Sequence, residues 1–282
     1  MSSDDFEYEN DLEEEYSEGE YPPDAKTQIV KGLILERFEK EPLKVYFQRQ
    51  LEVLYEKPWF HWVTDRAINE LVSEGKIKVE YYPIKVGAHH DKVKVLIHKS
   101  NRYYKLEAKR VCGLVEQYSA REITQDVGYW GQELFKVAYS SHGFKLLATD
   151  VNQFEGKLWR VSKKNLDFVV EKNGKRFGCE VKNTLGYMDK EEWQQKLEMC
   201  KFFGIIPIFI VRYSPTCWNY EIFEKGGLVQ VFETQVFMPG RASLVNQLRE
   251  ELGLPVIISR RIPDSIMERL NKTLEKRVFK KV

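Results

Sequence analysis

The sequence predicts an α/β (α+β) chain, with a central mixed sheet flanked by helices and preceded by a smaller unit of three helices and a hairpin. Three observations carry this. Two alternating segments, 165–170 and 177–182, flank an Asn-Gly pair, which is among the stronger short-range hairpin signals. Apolar residues at spacings of three and four mark helices before and after them. Between residues 26 and 100, three helical stretches are followed by two further alternating segments. At 282 residues, 43% hydrophobic and 13% aromatic, the chain is long enough for two cores. The expected organisation is an acidic tail at 1–25, a first domain at 26–100, and a second at 101–282 that includes a C-terminal extension.

Residues 1–24 contain 11 Asp or Glu, no Lys or Arg and no periodicity, so a disordered, solubilising tail is expected. Without them, 44 Lys and Arg stand against 32 Asp and Glu, a formal charge of +12 that suits phosphate-bearing partners. From Lys26 the pattern turns helical, with Thr27 as N-cap and Ile29, Val30, Leu33, Ile34 and Phe38 as the apolar stripe. Two more helices are expected near 44–55 and 59–74, the second ended by Gly75. Segments 77–81 and 92–97 alternate as strands around a loop holding Pro83, Gly87, His89 and His90, the His pair reading as exposed. Three helices and a hairpin outline a winged-helix-like domain, a fold that sets its third helix in a major groove and its wing over a backbone. That helix offers Trp59, His61, Trp62, Asp65, Arg66 and Asn69, with Arg66 the candidate nucleic-acid contact. A structural or protein-binding role for the same helix is the alternative.

A bridging helix is expected within 101–118, on the spacing of Tyr104, Ala108, Val111, Cys112 and Val115. The next helix carries Tyr129, Trp130 and the run Gly131-Gln132-Glu133-Leu134-Phe135. After the two strands, a helix over 189–203 presents Trp193, Leu197, Cys200 and Phe203 to the sheet, and 205–211 reads as a buried closing strand. Further elements follow at 228–232 (strand), 242–252 (helix), 256–258 (strand) and from Pro263 (helix). From residue 260 onward there are eight Lys or Arg against three Asp or Glu, which fits either backbone contact or a solvated helix end.

Chemistry concentrates on the two central strands. Side chains alternate along a strand, so Glu180 and Lys182 project from one face while Val181 points to the other. Pairing across the turn brings Asp167 towards Glu180. Two converging carboxylates make a hard oxygen site of the kind that Mg²⁺ or Mn²⁺ prefers, and a neighbouring Lys can stabilise developing negative charge.

Asp167 followed by Glu180-Val181-Lys182, in the order helix, three strands, helix, strand over 125–212, resembles the PD-(D/E)XK nuclease superfamily, the restriction-endonuclease-like fold. Leu166 stands where a Pro is common before the Asp. The resemblance implies metal-dependent phosphodiester hydrolysis. Asp167, Glu180 and the Val181 carbonyl would then hold one ion, Lys182 would be catalytic, and Glu133 would complete the site or extend it to a second ion. Read from the residues alone, Glu133 is equally a solvated helix carboxylate. Gln195 and Lys196 are candidates to reach a phosphate, as superfamily members use a polar or basic residue on this helix. Lys190, Lys201 and Arg212 read equally as phosphate contacts or solvated charges. Tyr129 and Trp130 are candidates to stack on a base, with packing beneath the sheet the competing use.

The function expected is that of a DNA endonuclease in defence, repair or recombination. The alternatives are a catalytically inactive nuclease-like binding or scaffold protein acting through the winged helix, and an RNA-directed nuclease. Cutting both strands with one site per chain would favour a homodimer, and the winged helix could serve a protein partner. No apolar run approaches the roughly 20 residues a bilayer span needs. The opening is acidic, unlike a signal peptide, so a cytoplasmic location is expected. Four Cys without a C-x-x-C pair argue against zinc and disulfides, and the absence of a Walker motif argues against an intrinsic translocase.

Overall fold

In the computed structural model of the chain, residues 25–86 and 89–279 are described; the acidic segment and Gly87 of the expected wing loop lie outside them. The first six elements are α1 (Ala25–Lys40), β1 (Val45–Phe47), α2 (Gln48–Tyr55), α3 (His61–Ser73), β2 (Ile77–Val86) and β3 (His89–His98). Their strands pair antiparallel in the order β1-β3-β2. Val30, Ile34 and Phe38 lie on one face of α1 at helical spacing and pack against Tyr46, Leu51, Ala67, Ile68 and Leu71.

Four details of this unit depart from expectation. Helix α1 starts at Ala25, so Thr27 is a buried interior residue and not a cap. Ile29 is 52% exposed, off the buried face. The helix expected from residue 44 opens instead with β1, because Val45, Tyr46 and Phe47 favour a strand and find partners in Ile97, Leu96 and Val95. The hairpin is also longer than expected. Pro83 pairs with Lys92, and His90 with Lys85, inside the ladder; a proline is tolerated there because β2 is an edge strand.

Helices α4 (Lys105–Ser119) and α5 (Arg121–Ser141) lead to β4 (Lys145–Val151), then to a small hairpin of β5 (Gln153–Phe154) and β6 (Lys157–Leu158). Next come β7 (Leu166–Lys172) and β8 (Lys175–Lys182), joined by Asn173-Gly174 at φ +50° and +72°. Positive φ at both positions is what a two-residue type I′ hairpin requires. The chain continues through α6 (Lys190–Phe203), β9 (Ile206–Val211), α7 (Thr216–Glu224), β10 (Leu228–Val231), β11 (Gln235–Phe237), α8 (Ala242–Glu250), β12 (Val256–Ile258) and α9 (Asp264–Leu274), ending in a π-helical turn, Glu275–Phe279.

The central sheet is mixed, in the order β10-β9-β8-β7-β4: β4, β7 and β8 are antiparallel neighbours, while β8, β9 and β10 run parallel. Strand β9 therefore does not close the sheet; α7 carries the chain across to a further edge strand, β10, as parallel pairing demands. On one face, Phe168, Val170, Phe177, Cys179 and Val181 pack with α5 and α9 through Phe135, Tyr139, Ile266 and Met267. On the other, Val169 meets Met199, Cys200 and Phe203 of α6. Gly178 permits that seating, since a Cβ there would lie 2.7 Å from the Cys200 Sγ.

A further apolar cluster joins Phe47, Val53, Val95 and Ile97 to α4 and to Val245, Leu248, Leu252 and Leu254. The N-terminal unit and the C-terminal segments thus share a core. The four cysteines are free thiols. Among the described residues no helix is long and apolar enough to cross a membrane.

Candidate functional site

Strands β7 and β8 pair with Phe168 opposite Cys179, so one step further along the same register Asp167 faces Glu180. Asp167 Oδ2 accepts the Val181 amide at 2.6 Å, which fixes the carboxylate against the strand that carries Glu180. Glu180 is 4% exposed. Its Oε1 lies 3.3 Å from Lys182 Nζ and its Oε2 2.6 Å from Lys196 Nζ. Lys182 also reaches Glu192 Oε1 at 2.6 Å. Glu192 sits in the first turn of α6, where its amide is capped by Asp189 at 2.7 Å. Lys196 donates a further hydrogen bond to the Asn165 carbonyl.

Charge is concentrated at this end of the sheet. Burial and the facing Glu180 push the Asp167 carboxyl up to about 7, against the opposing pull of the Val181 amide, Lys196 and Lys182. For Lys182, burial acts to lower the ammonium, but the attraction of Glu180 and Glu192 outweighs it and holds the group above its ordinary value. Three carboxyl groups and two ammonium groups therefore meet, and the surplus is negative once Asp167 is ionised.

Asp167, Glu180 and Lys182 come together as strand alternation predicts. Glu133 does not join them: it pairs with Lys136, one turn along α5, at 2.6 Å. Among the described residues there is no cluster of three or more His, Cys, Asp or Glu placed to hold a metal. The residue of α5 that meets Asp167 is Gln132, whose Nε2 donates to Oδ1 at 2.7 Å. One residue is about 100° of helix rotation, so the difference is one of phase. That phase is set by Gly131, where a Cβ would lie 2.7 Å from the Asn183 Cβ. Asn183, directly after Lys182, is itself locked by donating to the carbonyls of Val127 and Val236.

Lys196 turns inward, since Glu180 faces it across the α6–sheet contact, and so does not project to an external phosphate. Gln195 is half-buried, and its Oε1 has no hydrogen-bond partner among the described residues. Tyr129 is 61% exposed, whereas Trp130 packs beneath the sheet and donates to the Ser259 carbonyl. Arg66 is exposed on α3. Three other polar residues of α3 are held within the protein. Asp65 accepts from Gln48 and Asn69, Asn69 accepts from Lys94, and His61 stacks on Tyr187 at 4.5 Å between ring centroids. Burial, reinforced by Arg49, pushes the His61 imidazole down to about 4.

Arg212 is not a surface charge. It is 1% exposed and forms a two-pronged ion pair with Glu56 of the N-terminal unit, Nη2 to Oε2 at 2.7 Å. It also donates to the carbonyls of Thr184 and Leu185, in the loop that leaves β8. The Tyr187 hydroxyl donates to Glu56 Oε2 at 3.0 Å. The sequence contained no local signal for this clamp, because Glu56 and Arg212 are 156 residues apart.

The donor set suits one hard divalent ion: the Asp167 and Glu180 carboxylates are the oxygen ligands that Mg²⁺ or Mn²⁺ takes, with the Val181 carbonyl directly after Glu180 in sequence, and the negative charge left once Asp167 is ionised favours a cation. Lys196 competes for one Glu180 oxygen. The chain matches no protein-family model and no curated protein.

Proposed function

We propose that this chain is a metal-dependent nuclease that hydrolyses phosphodiester bonds, with DNA as its substrate and a core of the PD-(D/E)XK kind. The observation that carries the reading is the convergence of Asp167 on the Glu180-Val181-Lys182 strand, seen in the 2.6 Å bond from the Val181 amide. Asp167, Glu180 and the Val181 carbonyl would hold Mg²⁺ or Mn²⁺, which when bound supplies Lewis-acid stabilisation at phosphorus and an acidified water. Lys182, held cationic by Glu180 and Glu192, offsets the negative charge that grows on the phosphate. Gln132 and the Val181 amide hold the Asp167 carboxylate in one orientation, and Lys196 does the same for Glu180. A five-stranded mixed sheet between α5 and α6 supports the superfamily reading. The order α1–β1–α2–α3–β2–β3 supports a winged-helix reading of the N-terminal unit, with Arg66 as the cation its third helix exposes.

A second reading, a catalytically silent nuclease-like binding protein, draws on one observation: both Glu180 oxygens already face ammonium groups. Labelled single-stranded, duplex, nicked, flap and four-way DNA, with matched RNA, separate the two when incubated with Mn²⁺ or Mg²⁺. The nuclease reading expects metal-dependent products from the wild type and none from Glu180→Ala, with binding retained. Intact substrates that the wild type nevertheless binds would transfer the assignment to the silent protein.

A further inference from the structure

The segment that runs from β6 to the start of β7 is used by none of the chemistry above, yet it ends at the site. It reads Lys157-Leu158-Trp159-Arg160-Val161-Ser162-Lys163-Lys164-Asn165, with four cations in nine residues and no carboxylate. Its shape is fixed. Trp159 is 9% exposed in the cluster of Val151, Phe203 and Ile205, edge-on to Phe202 at 5.6 Å. The Trp159 amide donates to the Asn152 carbonyl at 2.8 Å, and its indole donates to Ser162 Oγ at 3.2 Å. At the far end, the Asn165 carbonyl accepts from Lys196, the same ammonium that holds Glu180. The loop is thus pinned at one end by an indole and at the other by the site itself.

What it presents is cationic and unspent. Lys157 donates to the Phe202 carbonyl, but the side chains of Arg160, Lys163 and Lys164 make no hydrogen bond or ion pair among the described residues. Between them Val161 stands 80% exposed, an apolar residue at a position where a polar one would cost nothing. Three residues of chain span at most about 10 Å, so the Lys164 Cα lies within about three phosphates' rise of Asp167, and the Arg160 Cα within about seven.

We infer that the 157–165 loop is the arm that grips the nucleic-acid strand beside the cleaved phosphate: Arg160, Lys163 and Lys164 bind backbone phosphates, and Val161 packs against the sugar and base edges between them. The inference rests on the nuclease reading and adds to it a binding element outside the carboxylate site. Fixed cations bind phosphates without waiting for a metal, so the arm acts before catalysis and independently of it.

The test is the salt dependence of binding, measured by anisotropy in EDTA with a labelled 20-base-pair duplex and its single strand. The wild type is compared with Arg160→Ala/Lys163→Ala/Lys164→Ala and with Lys99→Ala/Lys105→Ala/Lys109→Ala, which loses the same charge from exposed positions elsewhere. Each lost duplex phosphate contact lowers the slope of log K against log salt by about 0.9, so the loop variant is expected to lose about 2 to 3 and the control none. Val161→Ser is expected to weaken binding roughly threefold to tenfold at an unchanged slope. An unchanged slope in the loop variant, or an equal loss in the control, overturns the arm while leaving wild-type cleavage in Mn²⁺ to support the nuclease. A wild type that neither binds nor cuts any nucleic acid overturns both.

Discussion

The Asp167 carboxyl is held against its preference, and this has a measurable consequence for stability. Its ordinary value is 3.8 and burial beside Glu180 moves it to about 7, which corresponds to about 4 kcal/mol of penalty once the group is ionised in the folded state. Between pH 4 and pH 7 the unfolded chain has released this proton and the folded chain has not, so stability falls as pH rises through that window and levels off above it. Asp167→Asn keeps the shape and removes the charge. Because Glu180 shares the repulsion, the variant is expected to recover at least about 2 kcal/mol at pH 8 in EDTA relative to the wild type, and almost nothing at pH 4. Urea unfolding at pH 4, 5, 6, 7 and 8 measures this as the difference between two curves, which cancels the titrating groups that do not interact with Asp167. Millimolar Mn²⁺ should restore the wild type at pH 8 and leave Asp167→Asn unmoved. Parallel curves across the window would refute the view that charge is stored at this site.

Three further outcomes follow from the same geometry. Glu56→Ala should cost about 3–5 kcal/mol in urea unfolding because it leaves the Arg212 guanidinium buried without its carboxylate, and Glu56→Met/Arg212→Met should regain most of it; a single-variant loss below about 1 kcal/mol would show the pair to be dispensable. Gly131→Ala should abolish metal-dependent cleavage and cost about 1–3 kcal/mol, since its methyl group would meet Asn183 at 2.7 Å and displace Gln132 from Asp167; full activity would mean that the phase of α5 does not matter. Lys196→Met should lower stability in EDTA by about 3 kcal/mol while tightening Mn²⁺ binding in calorimetry, because a Glu180 oxygen is freed; weaker Mn²⁺ binding would show that Lys196 supports the ion instead of competing with it.

The core of the site was readable because local rules set it. An Asn-Gly turn fixes the register of β7 and β8, and that register alone places Asp167 opposite Glu180. What escaped was set by tertiary contact. The choice between Gln132 and Glu133 depends on how closely α5 approaches Asn183, and no periodicity reports that distance. Lys196 was a candidate to reach a phosphate, but the attraction of a buried carboxylate turns it inward. Strand β1 was hidden inside a helical pattern because its partner, β3, lies about fifty residues away. The cationic loop at 157–165 did carry a signal, four Lys or Arg in the residues before the Asp167 strand.

The apolar cluster shared by the N-terminal unit and α4, α8 and their neighbours changes how this protein can be taken apart. A chain beginning at residue 101 would lay Ala108, Val111, Leu114, Leu248 and Leu252 open to water, and fully exposing such side chains costs about 1.5–3 kcal/mol for each of the larger ones. A fragment's failure to cut would then report a collapsed scaffold and not a missing gripping module. The same sharing predicts one melting transition where two separable modules would give two. The proposed recognition and cleavage are therefore to be tested by point substitutions at the surface, while scissors applied near residue 100 cut through a core.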